Sequence, residues 1–188
     1  MKKNIFLVTA LTVMVLMSAC KKDPEPVNEE EVITTVILSL QKSGSSSVQN
    51  IVFNDPDGDG GISATTDSII IEKAAIYNAT ITLLNNLVSP ADTISKEVLE
   101  EGLEHQFFYQ STPTDVITNF NYEGENDTDG NPIGLDFSFD TWNAGGAGTL
   151  RITLRHLPNK SATGVAGGDI TNADGETDVE VDFPVRLF

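Results

Sequence analysis

A two-residue alternation of apolar and polar side chains is the feature that most constrains how this chain folds. Within residues 150–155, for example, Leu150, Ile152 and Leu154 alternate with polar residues. Successive side chains of a β-strand point to opposite faces of its sheet, so this alternation indicates a strand with one buried face. The same alternation occurs in residues 32–41, 48–54, 77–83, 135–140 and 179–186. The chain is therefore predicted to consist mostly of strands.

Turns rich in Gly, Asp and Asn separate the predicted strands. These residues tolerate the positive φ angles that tight turns require. They are concentrated in residues 55–61, 126–134, 143–148, 164–169 and 173–175. Eight or nine short strands with such turns predict an all-β fold, an antiparallel immunoglobulin-like sandwich in which alternate residues of two sheets form the core. A lipocalin-like barrel is the alternative.

One segment departs from the alternation. Residues 95–101 contain good helix formers, with acidic residues in the first turns and Ser95 in position to act as the N-cap. The sequence therefore predicts one short helix in an otherwise all-β domain.

The first nineteen residues have the layout of a cleaved signal peptide. A positive start at Lys2 and Lys3 precedes an uncharged, mostly apolar run over residues 5–17. This run is shorter than the roughly 17–25 residues that span a bilayer. Residues 21–31 contain two Pro and five acids and predict a flexible tether. The predicted organisation is a signal peptide over residues 1–19, a tether that begins with a lipidated Cys20 over residues 20–31, and a β-sandwich domain over residues 32–188.

The lipidation is predicted from a resemblance. The string LMSAC at residues 16–20 resembles the lipobox of bacterial lipoproteins, in which the signal peptidase cuts directly before the cysteine. The resemblance implies diacylation of Cys20, and two acyl chains are enough for stable anchoring to a membrane. The string KKDPE at residues 21–25 resembles the signal that sends lipoproteins of Bacteroidota to the outer face of the outer membrane. An outer-membrane protein exposed at the cell surface is therefore expected.

Charge and cysteine content limit the partners. The chain has 28 Asp and Glu against 11 Lys and Arg, a formal net charge of -17. Nucleic acid is excluded as an expected partner, because binding to the phosphate backbone needs clustered basic residues. Cys20 is the only cysteine, so its lipidation would leave no thiol for a disulfide, a nucleophile or a thiolate metal site. The membrane, through the anchor, is the predicted partner, together with a protein or glycan that the sequence does not identify.

The acidic loop over residues 55–62 is the sharpest motif for cation binding. Asp55, Asp57 and Asp59 take the spacing of positions 1, 3 and 5 in a calcium-binding loop, and a glycine follows at position 6. Position 12 is Thr66, where such a loop has a bidentate Glu. The sequence therefore predicts at most a weak Ca²⁺ site, with a metal-free turn as the alternative.

The two histidines form a second candidate site. Glu101 and His105 are four residues apart, so a continuing helix would place both on one face for a transition metal such as zinc or copper. Gly102 argues against that continuation. His156 follows a predicted strand and shares the face of its apolar residues, so two strands could also bring His105 and His156 together.

Catalytic motifs are not visible in the sequence. It contains no G-x-S-x-G elbow, no P-loop, no H-E-x-x-H and no Rossmann glycine pattern. A hydrolase would need a catalytic pair of carboxylates, and the sequence gives no basis for choosing one pair among its 28 acidic residues. The predicted function is a non-enzymatic binding or structural module, with cation binding as the alternative.

Two further resemblances support the predicted localisation. Four segments resemble segments of small outer-membrane lipoproteins of Bacteroidota: EHQFFY at residues 104–109, GNPIGL at 130–135, LRHLPNK at 154–160 and GDITN at 168–172. This resemblance implies no activity and no site residues. The tripeptides DSI and DTI, centred on Ser68 and Thr93, resemble the acceptor motif for O-glycosylation in Bacteroidota.

Overall fold

The structure is a computed structural model that describes residues 31–58 and 60–188. The predicted signal peptide, Cys20, most of the tether and Asp59 lie outside the described residues. Ten strands are described: β1 (Thr35–Lys42), β2 (Val48–Asn54), β3 (Thr65–Thr66), β4 (Ile69–Ile71), β5 (Ile76–Leu84), β6 (His105–Thr112), β7 (Ile117–Glu123), β8 (Asp136–Thr141), β9 (Gly146–His156) and β10 (Glu176–Leu187). One α-helix, α1 (Ile94–Glu100), and two short 3-10 helices, Val165–Gly167 and Ile170–Asn172, complete the secondary structure of this part.

The strands form two sheets, which confirms the predicted all-β sandwich. The larger sheet has the strand order β3-β2-β1-β5-β8-β7 and the smaller one β4-β10-β9-β6, and they do not join into a closed barrel. Every pairing between strands is antiparallel except that of β4 with β10, which is parallel. The chain enters β4 from β3 of the other sheet, so no hairpin imposes an antiparallel pairing there.

The core lies between the two sheets, where the alternating apolar residues predicted from the sequence meet. In β5, Tyr77, Ala79, Ile81 and Leu83 are buried, and the residues between them are more exposed. Inward residues of the smaller sheet complete the same cluster. They include Phe107 and Tyr109 of β6, Leu150, Ile152 and Leu154 of β9, and Val181, Phe183 and Val185 of β10.

The N-cap of helix α1 lies two residues before the predicted one. Ile94 is its first residue, and its N-cap is Thr93, whose side chain makes no capping hydrogen bond, in place of the predicted Ser95. Burial explains this start, because Ile94 and Val98 pack into the core one helical turn apart. No helix among the described residues is long and apolar enough to cross a bilayer.

Candidate metal centre

The two histidines lie directly opposite each other on neighbouring strands. His105 is the first residue of β6 and His156 the last of β9, and the antiparallel register pairs them. Their rings stack with centroids 4.9 Å apart and planes inclined by 11°. The structure therefore brings the two histidines together, whereas the sequence alone did not establish whether they are close.

The ring nitrogens of the two histidines nevertheless face different groups. His105 Nε2 lies 3.7 Å from Glu31 Oε1 and 3.7 Å from Asp178 Oδ2. His156 Nε2 lies 3.5 Å from Glu104 Oε2. The Nε2 atoms of the two rings therefore do not converge on a single metal position. A candidate metal centre forms around His105 alone.

The tautomer of His105 follows from its other nitrogen. Nδ1 lies 3.2 Å from the main-chain carbonyl oxygen of Glu101. A carbonyl oxygen only accepts, so we assign the proton of the neutral ring to Nδ1. The lone pair of Nε2 then points toward the carboxylates, which is the arrangement in which a histidine binds a metal while its second nitrogen donates to a carbonyl.

Glu31, Glu101 and His105 bring three candidate ligands together. One ligand atom of each lies within 4.8 Å of the other two, and in the described ranges no other group of three or more such residues does so. A tetrahedral ion with bonds of about 2.0–2.2 Å separates neighbouring ligand atoms by about 3.3–3.6 Å. The 3.7 Å between His105 Nε2 and Glu31 Oε1 is too long for a hydrogen bond and close to this separation.

The electrostatics of the group favour a bound cation. Burial, with added repulsion from Asp178, Glu97 and Glu101, raises the pKa of Glu31 to about 7. Burial also lowers the pKa of His105 to about 4, so its ring is neutral at pH 7. A neutral imidazole is the form that binds a metal, and a cation beside Glu31 would offset the repulsion among the carboxylates.

Glu101 reaches His105 through a turn and not through a continued helix. The helix α1 ends at Glu100, and the turn that follows is closed by a hydrogen bond of 2.8 Å from Glu104 N to Glu101 O. At Gly102 a Cβ atom would lie 2.5 Å from Ile133 Cδ1, so the turn packs closely against the core. The predicted proximity of Glu101 and His105 is present, while the predicted helical geometry between them is absent.

Glu31 is the ligand that the sequence did not predict. It lies at the end of an acidic, proline-containing run, a pattern that predicts a solvated tether. In the structure its side chain is only 14% exposed and faces His105. No motif or periodicity marks this residue, because its position depends on where the chain enters the sandwich.

The acidic loop shows a different arrangement. Asp57 Oδ2 accepts a hydrogen bond of 3.1 Å from Ile62 N, and Asp55 Oδ1 lies 3.4 Å from Asp57 N. Such contacts to nearby main-chain groups stabilise an Asp-rich turn without a metal. Because Asp59 lies outside the described residues, calcium binding at Asp55, Asp57 and Asp59 stays a prediction.

The two predicted glycosylation residues differ in exposure. Ser68 is exposed between β3 and β4, whereas Thr93 is half-buried directly before α1. Modification of either residue stays a prediction, and Ser68 is the more accessible of the two.

A comparison of this chain with models of protein families, with curated proteins and with solved structures found no match.

Proposed function

We propose that this chain is a non-enzymatic β-sandwich module that binds a divalent transition metal ion through Glu31, Glu101 and His105. The observation that carries the proposal is the neutral, buried imidazole of His105 beside two carboxylates, with candidate ligand atoms within 4.8 Å of one another. The predicted export and the lipid anchor at Cys20 belong to the same proposal and are supported by the sequence of residues 1–25.

The type of ligand favours zinc or copper over calcium at this position. Calcium prefers six to eight oxygen ligands in a flexible shell. One imidazole nitrogen and two carboxylates are instead suited to zinc, which binds histidine and carboxylate in tetrahedral sites. Three protein ligands would leave one coordination position for water or for a group of a partner.

Thermal unfolding tests the metal site. The full chain, purified in detergent and stripped with EDTA, is melted with and without added ZnCl₂. A ligand at about 100 times its dissociation constant stabilises the native state by about 2.7 kcal/mol, or roughly 5–11 °C in Tm for a domain of this size. We expect zinc to raise the Tm, and we expect Glu31→Gln and Glu101→Gln to lose most of this rise.

Glu104→Gln is the matched control, because Glu104 lies beside His156 and outside the three-residue group. Its zinc-induced rise in Tm should equal that of the wild type. An unchanged rise in Glu31→Gln and Glu101→Gln would show that zinc binds elsewhere. A rise with CaCl₂ that is lost in Asp57→Ala would assign a cation site to the acidic loop instead.

Cell fractionation tests the anchor. The wild-type chain should be found in the membrane fraction and should incorporate radiolabelled palmitate, whereas Cys20→Ser should do neither. Membrane association of Cys20→Ser equal to that of the wild type would contradict the proposed anchor.

A further inference from the structure

A cleft of about 720 Å³ runs along β6, the edge strand of the smaller sheet. It lies beside the C-terminal half of β6, whereas the candidate metal centre lies at the first residue of that strand. A second cavity of about 190 Å³ adjoins it, and both are lined by Tyr109 and Phe120. The larger volume is within the range of about 300–1,000 Å³ that is typical of sites for small ligands.

Aromatic rings form one wall of this cleft. Tyr109 and Phe120 stack with centroids 5.8 Å apart, and Tyr122 lies 5.9 Å from Tyr109 at the adjoining cavity. Phe120 is an inward residue of β7 and yet is only partly buried. The edge strands β7 and β6 therefore leave part of its ring accessible from the cleft.

An irregularity in β7 accompanies this opening. The register with β8 shifts between Thr118 and Asn121, and Asn119 has a φ of 52°. A non-glycine residue with positive φ is uncommon, and β-bulges are over-represented next to binding sites because they change where side chains point. Thr118, Asn119 and Phe120 all line the cleft.

The other lining residues are mostly uncharged and polar. Hydroxyl and amide groups come from Gln110, Thr112, Thr114 and Thr149. The charged residues that line the described cleft, Arg151 and Asp182, form two parallel hydrogen bonds of 2.7 Å each. The lining is therefore neutral overall, although the chain carries a net charge of -17.

We propose that this cleft binds a neutral oligosaccharide. Hydroxyl and amide side chains both donate and accept hydrogen bonds, as the hydroxyl groups of a sugar do. The apolar C–H face of a sugar ring can pack against a partly exposed aromatic ring, and Phe120 supplies one in this cleft. Because Arg151 is paired with both Asp182 and Glu180, the lining of this cleft offers no unpaired cation to attract an anionic ligand. The site is separate from the metal centre and does not depend on it.

Affinity electrophoresis tests this site. The full chain, purified in detergent, is run in native gels that contain soluble starch, galactomannan or xyloglucan, with polygalacturonate as an anionic comparison. We expect retardation by at least one neutral polysaccharide and none by polygalacturonate. The retardation should be the same in the presence of EDTA, so the result is independent of metal binding.

Two cleft variants and one control decide the outcome. Phe120→Ala should weaken binding by up to about tenfold, which corresponds to about 1.4 kcal/mol, because it removes the ring against which the sugar packs. Gln110→Ala should also weaken binding, and because Gln110 is exposed on β6 we expect this variant to fold. Gln49→Ala, exposed on β2 of the other sheet, should bind like the wild type. Lack of retardation in every neutral gel, retardation by polygalacturonate alone, or equal binding of both cleft variants and the wild type would overturn the proposal.

Discussion

His105 and His156 stack face to face across the pair of strands β6 and β9, with ring centroids 4.9 Å apart. The stack holds the His105 ring in place while its Nε2 faces Glu31 and its Nδ1 faces the Glu101 carbonyl. Burial, with a further contribution from His156, lowers the pKa of His105 to about 4, so the His105 imidazole is neutral at pH 7. Under the proposed function, His156 therefore positions the ring and His105 supplies the nitrogen ligand.

Substitution by phenylalanine separates these two roles. His156→Phe keeps a flat ring against His105, so the rise in Tm on addition of ZnCl₂ should be close to that of the wild type. His105→Phe removes the nitrogen ligand and should abolish the rise. The Tm of each variant is measured in EDTA and in zinc, and far-UV circular dichroism checks that both are folded. Equal losses in the two variants would contradict the assigned roles.

Six of the ten described strands, the short helix and most of the core could be predicted from the sequence, because alternation with period two is a local signal. The pairing of His105 with His156 could not, because it depends on the register of β6 against β9. Phe108 shows the same limit. Its side chain points away from the main core, and it is buried because Val165 and Ala173 of the loop between β9 and β10 cover it.

Only part of the candidate metal centre could be predicted, because only two of its three residues are close together in the sequence. Glu101 and His105 are close in the sequence, so their spacing already suggested a site. Glu31 is 74 residues before His105, and only the entry of the chain into β1 places it there. Contacts of this kind depend on the complete fold, and a local pattern does not encode them.

Lys160 and Asp127 form a buried ion pair whose loss should be costly. Lys160 Nζ donates to Asp127 Oδ2 at 2.9 Å and to the carbonyl oxygens of Gly102 and Pro132 at 2.6 and 3.2 Å. Lys160→Met leaves the Asp127 carboxylate buried without its cation, which typically costs about 3–5 kcal/mol. Urea unfolding at pH 7 measures this loss.

The matched control is Lys42→Met. Lys42 forms an ion pair of 2.6 Å with Glu72, and their side chains are 39% and 50% exposed. Such a surface pair contributes at most about 1 kcal/mol. Losses of similar size in Lys160→Met and Lys42→Met would contradict the structural role of the buried pair.

The same buried pair predicts a dependence of stability on pH. Burial alone would raise the pKa of Asp127, but the Lys160 ammonium and the N–H groups of Asn131 and Asp129 outweigh it and hold the pKa below its ordinary value of 3.8. A carboxyl group whose pKa is lower in the folded than in the unfolded state stabilises the native state at any pH above its unfolded-state pKa. This stabilisation is lost as the pH falls through the folded-state pKa. Above about pH 5 the contribution should be constant.

Urea unfolding of the wild type and of Asp127→Asn between pH 7 and pH 2 checks this prediction. The wild type should be the more stable at neutral pH, and the difference should shrink below about pH 5. The exposed neighbour Asp129 provides the control variant Asp129→Asn, which should not reproduce the large difference. A difference between wild type and Asp127→Asn that stays constant down to pH 2 would contradict the prediction.

Gly175 is a glycine at which an added side chain would clash with main-chain atoms. It has a φ of 70°, and a Cβ atom would lie 2.1 Å from the main-chain oxygen of His156. Gly175→Ala should therefore cost more than the roughly 1–2 kcal/mol that a left-handed conformation alone costs an L-residue. Gly44→Ala is the control, because Gly44 has a φ of 80° and no atom within 4 Å of the added Cβ. Free energies of unfolding in urea should show the larger loss for Gly175→Ala.

Because the displaced atom belongs to His156, this variant should also reduce the zinc-induced rise in Tm, whereas Gly44→Ala should leave it unchanged.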